Sequence, residues 1–594
     1  MSEKKIILDS YWQIIGKQFL KQKIGCSAMA VVSLFVLIGI YAPFLASSKP
    51  LVVYYDGEIY FPLFKYLFCS ALFTKKLDIF FNILACTFPF FFFTTFFITK
   101  WKRQILFSIA FIQVFLFSYY AFGVVVDPAS DPTLNAARQS EIQQRLKDKG
   151  EDLLLSKLPL NSNWVFDLKY LNNYARLNKV LRYQQRLDQH HRMAKYSEAY
   201  YEKNQMKLPT LWQVEHSHEI EEIERHHQFL ENNKEGYEQT QKQLPSLEQH
   251  YLPFSEEFLL AKSEVKINLA KLKKIQGTGQ FPQAKSIYEK SKTRFDFVSK
   301  MSSNERKKLR KARRTLSKYE DTQANMNYIL DRQKWLEQES AKISFQIMPL
   351  LRPFHWEDDA GGEQALNKYV DWWELTRINR KDLTAALIFG IRISLVVGLT
   401  SMILALSIGV PIGAIAGFYG GKIDIVVFRV LEIWESMPTL FMLLLVVSVL
   451  QTKSIFLIIT VLGIFGWTGF CRFVRGETLR QRNLPYVDAC KALGLNDIRI
   501  IFSHVLPNAI PPLLTLLPFA IMGAITSEAG LSFLGLGEEG SCSWGVLMDE
   551  GRSAFPGESY LLWPPGILLT ILLVAIALVG DALRDAFDPK MHKS

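Results

Sequence analysis

Cysteine is scarce in this chain, and absent where a loop-rich fold would need it. Six cysteines occur in 594 residues, and none falls between 127 and 383. That long polar stretch is therefore not a disulfide scaffold. Glycine is equally thin there, with four between Asp127 and Leu350, which argues against a succession of tight turns. Long hydrophobic runs are missing from 127–383 too, so the block holds no membrane span. Catalytic signatures are also missing. No G-x-x-x-x-G-K-[ST] phosphate loop, no H-E-x-x-H pair and no nucleophile elbow occurs. The run "GFYGGKID", Gly417 to Asp424, has glycines and a lysine at the wrong spacing. The chain does not read as an enzyme, and no cofactor is expected in it. The net charge of +12 comes without finger spacing or an aromatic-basic module, so no nucleic acid partner is implied. Membrane proteins gather lysine and arginine in cytoplasmic loops, which accounts for such a balance.

What the chain has in quantity is apolar sequence. Hydrophobic residues make up 49% of it, with 43 phenylalanines. A span needs about 20 apolar residues, and eight segments qualify: 24–45, 79–98, 104–126, 387–417, 426–450, 455–474, 508–530 and 562–580. Each is expected to be helical, because a helix satisfies its own backbone groups in lipid. Basic residues orient the set. Lys4, Lys5, Lys17, Lys21 and Lys23 precede the first segment; Lys100, Lys102 and Arg103 join the second to the third; Lys422 and Arg429 follow the fourth. Arg472, Arg475, Arg480, Arg482, Lys491 and Arg499 lie between the sixth and seventh, and Arg584, Lys590 and Lys593 end the chain. With eight spans all of these share one side, the cytoplasm. Lys49, Lys65, Lys75 and Lys76 fall on the other. Both termini are then cytoplasmic and the polar block faces outward.

From Asn172 to Ile343 the block is rich in Glu, Lys, Gln and Leu. Stretches such as "EIEEIERHHQFLENNKEGYEQTQKQL" and "NERKKLRKARRTLSKYEDTQANMNYILDRQKWLEQES" space their apolar residues as amphipathic helices do. Pro209, Pro245, Pro253 and Pro282 are expected to divide them, giving antiparallel helical hairpins packed as a small bundle or coiled coil. Six histidines, His190, His191, His216, His218, His226 and His227, cluster here. Adjacent or alternate histidines point different ways on a helix, so they read as solvated surface rather than a metal site.

The core has finer features. Gly409, Gly413 and Gly417, with Ala405, place small residues at every fourth position, the spacing that lets membrane helices approach closely. Between the sixth and seventh segments lies "YVDACKALGLNDIRIIFSHVLPNAIPPLL", Tyr486 to Leu514. "DACKALG" can form a helix with an acid in its first turn, which suits the helix dipole. Gly494 permits a turn, and Asn496 can cap a second short helix. Ile498, Ile501, Phe502 and Val505 would share one apolar face of it. A cytoplasmic helix pair with such a face needs a partner.

From Thr376 onward the sequence resembles the C-type inner-membrane permease subunits of oligopeptide, dipeptide and nickel ABC importers. The likeness rests on runs in order: Leu387–Asp424, "WTGFCRFVRGETLRQRNLPYVDACKALG" from Trp467, "LPNAIPPL" from Leu506, "EAGLSFLGLG" from Glu528, "SWG" at Ser543 and "GDALRDAFDPK" from Gly580. It implies an all-α integral membrane protein with a type I importer permease core (MetI-like), carrying a large inserted extracytoplasmic helical or coiled-coil domain. The implied organisation is a cytoplasmic N-terminus at 1–23, three spans in 24–126, the insertion at 127–383, and a five-span core at 384–594 with a coupling loop at 475–507. In such importers the coupling helix sits in a cleft of the ATPase subunit. Asp488, Ala489, Cys490 and Gly494 match the acid-Ala-Ala and Gly positions, with Asp for Glu and Cys for Ala, and Ile498, Ile501 and Phe502 complete the expected docking set.

The resemblance further implies a B-type permease as heterodimer partner, one or two cytoplasmic ABC ATPases carrying ATP and Mg, and an extracytoplasmic solute-binding protein. The location would be a bacterial inner membrane with the insertion in the periplasm. The outer run "TRINRKDL", Thr376 to Leu383, departs from the usual Gly-Thr-Asp…Gly-Arg-Asp pattern, keeping Thr376 and Asp382. The segments 79–98 and 104–126 are a pair beyond the usual set. Peptide import is the expected activity; a nickel or other small-solute permease, a non-transport scaffold and a secondary transporter are the competing readings.

Overall fold

A computed structural model describes residues 11–140 apart from 71, 98–100, 124, 132, 135 and 138–139, then 171–207, 217–274, 281–356, 382–450, 452–553 and 561–587. Lys4, Lys5, Pro209, His216, Thr376, Lys590 and Lys593 lie outside the described residues. In chain order the main helices are α1 (Tyr11–Lys21), α2 (Lys23–Ile40), α3 (Lys76–Phe97), α4 (Lys102–Phe122), α5 (Asn173–Lys203), α6 (Ser217–Lys274) and α7 (Phe281–Ser340). They continue with α8 (Leu383–Tyr419), α9 (Gly421–Glu435), α10 (Thr439–Leu450), α11 (Ile455–Gln481), α12 (Pro485–Ala492), α13 (Asp497–Leu536), α14 (Trp544–Ser553) and α15 (Trp563–Phe587). The chain divides into two units, one of residues 1–127, 191–205 and 345–594, the other of 128–190 and 206–344.

Among the described residues, seven helices are long and apolar enough to cross a membrane: α2, α3, α4, α8, α11, α13 and α15. The expected fifth span, 426–450, is not one helix. It is split into α9 and α10 around Pro438, whose missing N–H and steric demand on the preceding residue interrupt the helix. The two pieces still carry the chain from one end of the bundle to the other. Lys453 meets Glu539 (3.1 Å) and Lys75 meets Glu538 (3.6 Å) at one end. At the opposite end Arg475 holds Asp424, and Arg482 donates to the carbonyls of Gly417 (3.3 Å) and Phe418 (3.2 Å).

The centre of the first unit is α8. Its Asp382 cap accepts from the Ala385 amide (2.8 Å) and takes Arg352 Nη2 at 2.6 Å. Nearly three turns in, Arg392 is wholly buried. Its Nη1 donates to Asp78 Oδ1 (2.8 Å), Nη2 to Asn82 Oδ1 (2.9 Å) and Nε to the Gly39 carbonyl (2.7 Å). Asp78 and Asn82 belong to α3, so one of the two helices beyond the usual set is wired to the core by a buried charge. α4 leans on α3 through Gln113, which donates to the Phe80 carbonyl (3.0 Å) and accepts from Thr87 (2.7 Å). Its other face shows Phe107, Phe111, Phe115 and Phe122 outward, as a lipid-facing helix does.

Farther along α8 the glycine row meets α11. A Cβ added at Gly409, Gly413 or Gly417 would lie 2.4, 2.5 or 2.6 Å from the carbonyl oxygens of Trp467, Cys471 and Arg475. Nothing larger than hydrogen fits at that separation, so the two backbones touch. At the other end the "SWG" run is drawn inward. Trp544 is fully buried and donates to the Leu387 carbonyl (3.0 Å). Glu528 Oε1 accepts from Ser532 (2.7 Å) and Ser543 (2.5 Å).

A small sheet of order β2-β1-β3 was not foreseen: β1 (Val52–Tyr55), β2 (Glu58–Tyr60) and β3 (Ile343–Ile347). Asp56 and Gly57, at φ of 51° and 86°, make the two-residue turn of the first pair, the left-handed geometry that Asp-Gly favours.

In the second unit α6 and α7 form a long antiparallel hairpin. The buried positions of α7, Ser291, Val298, Ser302, Leu309, Ala312 and Leu316, follow the three- and four-residue steps of a coiled-coil seam. Tyr237 stacks on Tyr319 at 4.2 Å between ring centroids, and Arg313 pairs with Glu248 (2.6 Å). Val180 and Tyr183 of α5 pack on Trp335 and Leu336. Pro245 and Pro253 do not divide the helices as expected; both lie inside α6. They are on its exposed side, where water can take the carbonyls they leave unpaired.

Candidate functional site

The loop between α11 and α13 carries the residues singled out above. Pro485 opens α12 at a position where a missing N–H costs nothing, and Asp488 stands in the first turn with Lys491 in the last. The helix ends in a Schellman motif. The Leu495 amide reaches the Cys490 carbonyl (3.2 Å), the Gly494 amide reaches Lys491 (2.9 Å), and Gly494 has φ +75°. No neighbour lies within 4 Å of a Cβ placed there, so the backbone angle, not space, selects glycine. Asn496 then caps the start of α13, accepting from the Ile498 amide at 3.2 Å.

The expected apolar face does not survive intact. Ile501 is 1% exposed and Val505 is fully buried, while Ile498 is 60% and Phe502 44% exposed. Residues 501–505 form a π turn, whose wider winding breaks the 3.6-residue phase on which the four-residue face depended. Ile501 therefore belongs to the packing layer, with Val487, Ile500, Val505, Phe418, Phe470 and Val474. The second helix is also not separate: the helical path runs on from Asp497 through the π turn at Ile501–Val505 and a 3-10 turn at Leu514–Leu516, and kinks at Gly535, where φ is 80°.

What faces outward is a different set. Asp488, Ala489 and Gly494 are exposed and Cys490 is half-buried. Beside them stand Leu493, at 80% exposure, and Leu484. Sequence reasoning passed over both leucines; Leu493, the residue just before the turn glycine, was the available signal. Leu484, Leu493, Ile498 and Phe502 form an exposed apolar ridge over the loop and the first turns of α13, and the loop is tied to the bundle. The mounting is the Arg475–Asp424 pair, with Arg475 lying 5.2 Å from the Phe428 ring, the Arg482 contacts to the end of α8, and Lys491 over the Phe418 ring at 5.6 Å. Such an element can take up a partner and pass its movement to α8, α11 and α13, which it joins directly.

Among the described residues no group of three or more His, Cys, Asp or Glu is placed to hold a metal ion. His226 and His227 face separate acids, Glu222 (3.5 Å) and Glu231 (3.8 Å). The side chains of His190, His191 and His218 are outside the described residues.

The geometry is that of a multi-span helical bundle with an exposed apolar ridge on one of its connecting loops. Residues 409–593 match the family described as "Binding-protein-dependent transport system inner membrane component", and 10–62 match "N-terminal TM domain of oligopeptide transport permease C". The Peptidoglycan transport system permease protein YejE of Agrobacterium fabrum is 41% identical over 219 residues, 37% of this chain and 57% of its own length. The Oligopeptide transport system permease protein OppC of Haemophilus influenzae is 35% identical over 251 residues, 42% of this chain and 80% of its own. The chain thus spans under two thirds of the first relative and four fifths of the second. A solved structure of the MetNI methionine ABC transporter in inward-facing conformations aligns with 34% of this chain and 97% of its own at 19% identity and a TM-score of 0.30. The chain belongs to the C-type permease subunits of the peptide/nickel ABC importer family.

Proposed function

We propose that this chain is one half of the translocation pathway of an ATP-driven importer that carries peptides across a bacterial inner membrane. The other half is a B-type permease. ATP and Mg act on one or two cytoplasmic ATPases, and an extracytoplasmic binding protein delivers the solute. The supporting observation is the exposed ridge on a loop tied to the bundle, beside Asp488 and the Gly494 turn. An ATPase cleft closing on this ridge would push on α12 and α13 together, and the glycine seam would transmit the push to α8. Ile501 is assigned to transmission and not to the docking surface.

The organisation that goes with this reading is a cytoplasmic 1–23, spans within 24–126, an outward block at 127–383 and a core at 384–594 with its coupling loop at 475–507. The basic residues of the loop, and the shared end of Asp424, Arg475 and Arg482, favour the cytoplasm for that end. The insertion then leads into the outer mouth and offers itself to the binding protein. Peptides are favoured as cargo because relatives carry names such as oligopeptide and dipeptide transport permease. Native mass spectrometry of the cognate binding protein tests this: a bound peptide is expected, and a nickel complex or other small solute would move the chain elsewhere in its family. A purified membrane complex that holds no ATPase would favour the scaffold reading instead.

A further inference from the structure

At the end of the bundle away from the coupling loop, a short segment is held by an acid that the permease role leaves unexplained. Glu528 lies in α13 and is 1% exposed. An ionisable side chain inside a span is costly to keep and marks a working position. Its Oε1 accepts two hydroxyls, one from Ser532 on the next turn of its own helix (2.7 Å) and one from Ser543 on the return segment (2.5 Å). Its Oε2 is buried without a hydrogen-bond partner. So are Ser541 Oγ on the return segment and Ser394 Oγ on α8.

The return segment, 537–545, is wedged between α13 and α8. A Cβ at Gly545 would lie 2.5 Å from the Ala529 carbonyl oxygen, and one at Gly537 2.7 Å from Ser532 Oγ. On the α8 side, a Cβ at Gly390 would lie 2.6 Å from the Cys542 carbonyl oxygen. Glycine at these three positions lets the segment touch both helices. Its tip is tied down by Lys75 to Glu538 and by Lys453 to Glu539. The far ends of α8 and α13 therefore part only if this strap leaves its seat. A clamp that never opens gains by satisfying every polar atom. This one leaves three buried atoms wanting, and each gains partners when the strap lifts and water enters. The seated and lifted arrangements are thereby kept close in free energy, as a two-state element requires. α13 also carries Ile498 and Phe502 of the ridge, roughly 45 Å from Glu528 along the helical path. Push and catch thus sit on one element.

We propose that residues 537–545 are a strap closing the far end of the translocation pathway, and that Glu528 is the positioning residue that latches it through Ser543. The proposal rests on the importer reading above, in which that end opens when the ATPases close on the ridge.

The Cys542 side chain, 3% exposed, reports the strap. The full importer complex in nanodiscs, with its binding protein, is treated with a water-soluble maleimide, and labelling at Cys542 is followed by peptide mass spectrometry. In the parent, Cys542 should be protected without nucleotide and label about tenfold faster when ATP hydrolysis is arrested with vanadate. Ser543→Ala removes the bond to the strap and should speed nucleotide-free labelling about fivefold, the worth of one ordinary hydrogen bond. Ser532→Ala removes a bond of the same kind within α13 and should leave labelling at the parent rate. Glu528→Gln keeps the accepting oxygen and should also match the parent. Glu528→Leu should exceed Ser543→Ala and free ATP hydrolysis from its dependence on the binding protein. Cys542 that stays protected in the arrested complex, or equal speeding by Ser543→Ala and Ser532→Ala, overturns the proposal. A purified complex that retains no ATPase counts against the importer reading itself. The comparison of the two serine variants needs no nucleotide and still decides the latch.

Discussion

Removing the carboxylate of Asp78 should destabilise the membrane core far more than removing the whole ion pair. Arg392 is fully buried and Asp78 is 5% exposed, so neither charge is relieved by water. Breaking a buried pair from one side typically costs about 3–5 kcal/mol, because the remaining charge stays desolvated. Asp78→Leu and Arg392→Met should each fall in that range. Asp78→Leu/Arg392→Met removes both charges and should recover much of the loss. It still leaves the Gly39 carbonyl and Asn82 Oδ1 without the donors they now have, about 1 kcal/mol each. The double variant should therefore sit about 2 kcal/mol below the parent and above either single variant. Denaturant titration of the purified protein in detergent, run as a double-mutant cycle, measures the coupling. Single losses that simply add would refute the pairing, as would an Asp78→Leu variant of parental stability. The second result would also mean that α3 is not wired to the core.

Three further outcomes follow from the same geometry. Gly413→Ala puts a methyl 2.5 Å from the Cys471 carbonyl oxygen and should cost at least ~2 kcal/mol by forcing α8 off α11. Gly469→Ala, with nothing within 4 Å, should be neutral or gain up to about 1 kcal/mol from helix propensity; detergent thermal melts compare the two. Gly494→Ala asks a side chain to adopt φ +75° and should cost roughly 1–2 kcal/mol locally. Insertion should remain normal, and a bulkier residue there should uncouple ATP hydrolysis from transport in proteoliposomes. Trp544→Phe removes the indole donor to the Leu387 carbonyl and part of a fully buried ring, and should cost at least about 1 kcal/mol in the same melts.

The membrane core was largely legible because bilayer thickness fixes the length of a span and burial in lipid demands apolar side chains throughout. Hydropathy does not register a short interruption, so 426–450 reads as one span, and Pro438 itself was the sequence sign of a bend there. The Asp56–Gly57 hairpin was missed because its strands are only three and four residues long and lie between two spans. At the candidate site Gly494 and Asn496 were readable, since capping chemistry is local. Ile501 was not, because face assignments assume α-helical phase and a π turn resets it. The hairpin seam was obscured by Ser291, Ser302 and Ala312, small residues at positions where a hydrophobic heptad would show leucine. The buried Arg392–Asp78 contact joins residues 314 apart, and no local pattern announces a partner at that separation.

The claim on which the rest depends is that the ridge of Leu493, Ile498 and Phe502 receives an ATPase. The direct measurement is the number of ATPase subunits retained per purified membrane complex, before and after changing those three residues to Ser. The account predicts that retention is lost while the permease stays inserted, folded and paired with its partner permease. Retention unchanged by the triple substitution would contradict it.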